Sequence, residues 1–135
     1  MVETRTIEQT VVFSATPHEV YEALMDSEKH ARFTEAPATI SREVGGAFTA
    51  YDGIIHGTNL EVVPDRLIVQ LWHIDNPDCG WPANHYSRLT ILLEDVQGQT
   101  RLIMVHSNVP AGCYDNISEG WKAQYWVRIK KIVEG

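Results

Sequence analysis

The spacing of apolar residues along the chain changes period twice, and each change predicts an element. From Thr4 to Phe13 the period is two: Thr6, Glu8, Thr10 and Val12 alternate with Ile7, Val11 and Phe13, and β-branched residues dominate, which predicts a strand. The segment Ser14-Ala15-Thr16-Pro17-His18-Glu19-Val20 then carries a helix start. Thr16 is a natural N-cap, Pro17 loses no hydrogen bond at the first helical position, and Glu19 completes a capping box. Val20, Tyr21 and Leu24 share a face of that helix. A second short helix is predicted over about Glu28 to Phe33, before Ala36-Pro37.

Beyond residue 38 the pattern is that of an antiparallel meander. Breaks fall at Gly45-Gly46, Asp52-Gly53, Pro64-Asp65, the loop Asn76 to Asn84, and Gln97-Gly98, leaving segments 47–51, 54–63, 67–74, 86–95 and 100–108 as strands. Alternation is clear in 86–94, where Ser87, Leu89, Ile91 and Leu93 share one side, while Tyr86, Arg88, Thr90 and Glu94 take the other. After Pro110 and Gly112 the period becomes helical. Asn116 reads as a cap, with Ile117, Trp121, Tyr125, Ile129 and Ile132 recurring at three or four residues. The expected fold is α+β: a curved antiparallel sheet of six to seven strands wrapped on a long C-terminal helix, with two short helices after the first strand. No linker or repeat interrupts it, so residues 1–135 are read as one domain.

Composition narrows the possible partners. Eighteen acidic side chains face eleven basic ones, a net charge of −7, and the basic residues are scattered, so nucleic acid is not an expected partner. The longest apolar run is four residues, Leu102 to Val105, against the roughly 20 of a spanning helix. The first residues lack the apolar core of a secretory signal, and a cytoplasmic location is expected. Cys79 and Cys113 are read first as reduced thiols, with a single disulfide as the other possibility.

A set of motifs in order carries a family resemblance. Gly120-Trp121 with Tyr125-Trp126 in the final helix resembles the "GW…YW" pattern of proteins similar to the activator of heat shock protein 90 ATPase. Ala36-Pro37-Ala38, Gly45-Gly46-Ala47-Phe48, Asp52-Gly53, Gly57, Val63-Pro64, Ile68-Val69, Trp72, Trp81-Pro82, His85-Tyr86-Ser87, Thr100, His106 and Val109-Pro110 follow the same order and approximate spacing. The resemblance runs from about Ile7 to Ile132. It implies the helix-grip fold shared with START lipid-transfer domains and birch-pollen-type allergens, and a stand-alone module of a superfamily whose members bind apolar ligands.

Candidate site residues follow from the expected cavity between sheet and helix. Trp72, Leu89, Ile91, Met104, His106, Trp121 and Tyr125 are placed at its lining. His106, in phase with Leu102 and Met104, reads as a satisfied core histidine, a polar anchor for a ligand, or a general acid–base. Asn59 either faces inward and needs a partner, or is exposed. Gly120 serves close helix–sheet approach or an opening at the pocket mouth.

No catalytic residues, cofactor or metal site are expected. The motifs of nucleophilic and nucleotide chemistry are missing, and the six histidines show no H-x-H or H-x-x-x-H spacing. A surface site at His73, His85 and Cys79 is the one metal arrangement the order of residues offers.

The leading expectation is a non-enzymatic module binding a small apolar molecule in the cavity. The alternative is a co-chaperone that binds and stimulates heat shock protein 90. The third is a cyclase-like enzyme using His106 with Tyr86. A monomer or weak dimer is expected in each case.

Overall fold

A computed structural model describes residues 2–76 and 78–134. Its first strand, β1 (Thr4–Phe13), runs over the residues whose alternation predicts it. Helix α1 (Pro17–Met25) begins at the capping box: the Glu19 amide donates to Thr16 Oγ1 at 3.2 Å and the Thr16 amide donates to Glu19 Oε1 at 3.2 Å. Its buried face carries Val20, Tyr21, Leu24 and Met25. Helix α2 (Ser27–Thr34) is capped by Asp26, whose carboxylate accepts from the Lys29 amide at 2.9 Å.

Strands β2 (Thr39–Ile40), β3 (Ala47–Ala50), β4 (Ile55–Val63), β5 (Leu67–Ile74), β6 (Ser87–Val96) and β7 (Gln99–Pro110) follow. They form one seven-stranded antiparallel sheet in the order β1-β7-β6-β5-β4-β3-β2. Two irregularities bend it. β7 carries an extra residue opposite Arg5 to Ile7, where Asn108 adopts a φ of 60°. β4 carries one opposite Gln70 and Val69, at Leu60.

The curved sheet is gripped by the C-terminal segment. A 3-10 turn (Ala111–Cys113) leads into α3 (Tyr114–Gly120), a π-helical stretch (Trp121–Trp126) and α4 (Val127–Val133). The helix-grip fold is therefore present. Two expectations for this helix are corrected. It starts at Tyr114 without a side-chain cap, and Asn116, inside it, accepts from the Asn76 side chain instead. Ile132 is 37% exposed, off the buried face that Ile117, Trp121, Tyr125 and Ile129 share.

The π-winding explains which aromatics turn inward. With its i→i+5 repeat, Tyr125 and Trp126 both stay beside Trp121 on the sheet-facing side, and all three are buried. Trp121 stacks on Trp126 at 5.2 Å and meets Tyr125 at 4.6 Å. Gly57 holds the opposite wall together: a Cβ there would overlap the Leu71 carbonyl on β5 and crowd Phe48, so β4 approaches its neighbours closely only as glycine.

The cysteines correct the expectation of free thiols. Cys79, in the β5–β6 loop, is bonded to Cys113 at the start of the terminal helix, across 34 residues. The loop brings the two Cα atoms to 5.0 Å, a proximity that their sequence spacing does not reveal.

Candidate functional site: an aromatic interior and an open groove

The interior between sheet and helix is filled by rings. Trp72 of β5 meets Trp121 at 6.1 Å and His106 of β7 at 4.8 Å, and Trp81 closes against Trp72 at 5.7 Å. The cavity left among Leu24, His30, Phe48, Leu89, Ile91 and their neighbours is about 30 Å³, room for one water and not for a drug-sized ligand, which occupies roughly 300–1,000 Å³. The π-helical stretch turns three aromatic rings toward the sheet here and fills this part of the interior.

His106 is fixed by protein on both nitrogens. The Trp121 indole donates to Nδ1 at 3.0 Å, so Nδ1 is the acceptor and Nε2 carries the hydrogen, which it donates to Ser87 Oγ at 2.7 Å. Ser87 in turn donates to the Trp72 carbonyl at 2.9 Å. Burial drives the ring's pKa down to about 3, and the residue has no exposed surface. This neutral, fully engaged ring has no free nitrogen for a substrate proton. Tyr86, its expected partner in a cyclase-like reaction, lies on the other face of the sheet against His56 and His73.

His30 repeats the arrangement on α2. Its Nδ1 donates to the Leu24 carbonyl at 3.1 Å, and Nε2 accepts from the Tyr125 hydroxyl at 3.0 Å. Burial lowers its pKa to about 4, and burial also raises that of Tyr125. Nothing in the local sequence marks His30, since its partner lies 95 residues away.

Space opens at one end of the interior. A groove of about 340 Å³ runs between the β3–β4 turn and the terminal helix, lined by Tyr51, Ile54, Ile55, Trp72, Trp121 and Tyr125 among others. Tyr51 and Asp52 take φ values of 50° and 57°, a left-handed geometry that non-glycine residues adopt at a cost. It sets the Tyr51 hydroxyl across the groove, donating to Gln124 Oε1 at 3.2 Å. Gly120 lies on the helix wall, and a Cβ there would meet no atom within 4 Å, so this glycine widens the groove mouth and serves no close contact.

Of the residues placed at the cavity by sequence, Trp72, Trp121 and Tyr125 line both spaces, while Leu89 and Ile91 line only the small one. Met104 and His106 are wholly buried and line neither. Asn59 is a buried structural tie. Its Nδ2 donates to the Ser41 and Glu43 carbonyls at 2.7 and 3.0 Å, and its Oδ1 accepts from Gln70 at 3.0 Å.

Residues 14–134 match the family model described as "Activator of Hsp90 ATPase homolog 1-like protein". The chain belongs to this activator-like family. It is 32% identical over 119 residues, 88% of its length, to the human activator of 90 kDa heat shock protein ATPase homolog 1. A homolog from Dictyostelium discoideum is 31% identical over 94% of the chain. The chain spans about a third of these curated relatives, 34% and 32% of their lengths.

Among solved structures, an HSP90 activator from Plasmodium falciparum superposes with a TM-score of 0.88 at 25% identity, covering 96% of both chains. A protein from Chromobacterium violaceum gives 0.78 at 28% identity, over 96% of this chain and 97% of its own. Among the described residues, no helix of this family member is long and apolar enough to cross a membrane.

The surface metal site conceivable at His73, His85 and Cys79 does not assemble. Cys79 is in the disulfide, and His85 Nε2 faces the Asn108 carbonyl at 2.7 Å. The fold instead places His73 beside His56 and Asp75. No short motif announces that trio, because it is created by the register of β4 on β5.

Proposed function

We propose that this chain is a non-enzymatic binding module that engages a chaperone of the heat shock protein 90 class. The observation that carries the reading is its likeness, over nearly the whole chain, to proteins named as activators of that chaperone's ATPase. The filled interior supports it, since a water-sized cavity gives no enclosed small-molecule site. His106, the best candidate acid–base, is already bonded on both sides. The net charge of −7 favours a basic surface on the partner and makes association salt-sensitive. Binding of the fluorescently labelled chain to the purified chaperone, followed by anisotropy, tests this. Saturable binding that weakens with added salt is expected, and flat anisotropy at high chaperone concentration would sink the proposal.

The open groove favours a second reading, an apolar small molecule held between Tyr51, Ile54 and Trp121. Its volume of about 340 Å³ lies at the lower end of ligand sites. Gly120→Leu fills the groove from a position that meets no other atom. Under this reading the substitution abolishes the fluorescence gain of an anilinonaphthalene dye while the far-UV spectrum stays unchanged; dye binding that persists in the variant removes the groove as the site.

A further inference from the structure

The outer face of the sheet carries a cluster separate from the aromatic interior and the groove. β4 and β5 pair with His56 directly opposite His73, and Asp75 follows two residues later on the same face. The imidazoles of His56 and His73 lie 4.9 Å apart, and one donor atom from each of the three residues falls within 4.8 Å of the others. His73 Nε2 is 3.0 Å from Asp75 Oδ1.

The hydrogen bonds of His73 define what this corner lacks. Nδ1 faces the His85 carbonyl at 2.8 Å; a carbonyl only accepts, so Nδ1 carries the hydrogen. In a neutral ring Nε2 then points its lone pair at a carboxylate oxygen, and two acceptors meet at 3.0 Å. A positive charge on or between them resolves the conflict, as a second proton or as a metal ion.

We propose that a divalent transition metal of the zinc class binds here, held by His56, His73 Nε2 and the Asp75 carboxylate. Four features favour the metal over a proton. The His73 side chain is only 3% exposed and fixed in place, whereas Asp75 at 67% leaves a cation's side open to water. An imidazolium–carboxylate pair has no use for a third donor, yet His56 is held against them by strand register. The Nδ1 contact to a backbone carbonyl is the support that metal-bound histidines usually carry. Finally, the 3.0 Å separation of Nε2 and Oδ1 is close to the about 3.3 Å that tetrahedral zinc bonds set between two ligand atoms.

The donor set excludes the hard cations. Two imidazoles with one carboxylate suit zinc and its neighbours, whereas calcium and magnesium take oxygen ligands throughout. Trp81 and Tyr86 pack against His73 at 6.0 and 5.4 Å and wall the inner side, so positions left by the three protein donors face solvent.

The site is tested by titrating chelator-treated, disulfide-intact protein with Zn²⁺ in a calorimeter. One equivalent is expected to bind, and His56→Ala and Asp75→Asn are each expected to weaken it at least about tenfold. Both side chains lie outside the buried core, so the variants keep the parent's circular dichroism spectrum. His18→Ala, at a histidine paired with Asp65, leaves the affinity unchanged. Lack of Zn²⁺ uptake at submillimolar concentration, or uptake that persists in both the His56 and Asp75 variants, overturns the proposal.

Discussion

His106 and His30 are imidazoles whose burial holds them neutral, and each makes folding pH-dependent in the same direction. Their pKa values fall from the ordinary 6.5 to about 3 and about 4. Above pH 6.5 both are neutral folded or unfolded, and their contribution is complete. As pH falls below 6.5 the unfolded chain takes up protons that the folded chain refuses, so stability is lost progressively toward each folded-state value. Near pH 5 the loss is roughly 2 kcal/mol per histidine. Urea unfolding at neutral pH and near pH 5 measures it; equal stability at both would contradict the buried, neutral assignment.

The same network makes Trp121 more than an apolar filler. Trp121→Phe removes the donor to His106 Nδ1 and leaves a buried acceptor unpaired, which is expected to cost about 1–3 kcal/mol beyond lost packing. A melting temperature equal to the parent's would remove that role. The inward facing of His106 was legible from its phase with Leu102 and Met104. Its bonding was not, because Trp121 and Ser87 arrive from other elements.

At the scale of elements, two glycines separate close approach from open space. Gly57→Ala drives a methyl into the Leu71 carbonyl across the β4–β5 pair and is expected to destabilise the fold by about 2 kcal/mol or more. Gly120→Ala meets open space within a continuous helix and is expected to stabilise it by up to about 1 kcal/mol. Denaturant midpoints of the two variants should therefore move in opposite directions; movement in the same direction would refute the contrast. The strands and α1 were readable because a period of two and a capping box are local signals. The π-winding was not, since it arises from packing Trp121, Tyr125 and Trp126 together on the sheet. That packing turned the expected cavity into a filled interior with an open groove at its end.

Across the whole molecule, contacts between distant segments decide what local sequence leaves open. Cys79 and Cys113 tie the β5–β6 loop to the terminal helix across 34 residues, and cross-links of that loop length stabilise by about 3–4 kcal/mol. Thermal unfolding with and without a reductant should show that difference, and an unchanged transition would deny the cross-link a stabilising role. The same long-range placement assembles His56, His73 and Asp75 from residues that share no motif.

Chaperone binding is tested most directly by amide NMR of the isotope-labelled chain titrated with purified heat shock protein 90, at low and at physiological salt. Shifts confined to one contiguous surface, and reduced by salt, are the predicted result. A spectrum unchanged at saturating chaperone and low salt would contradict it.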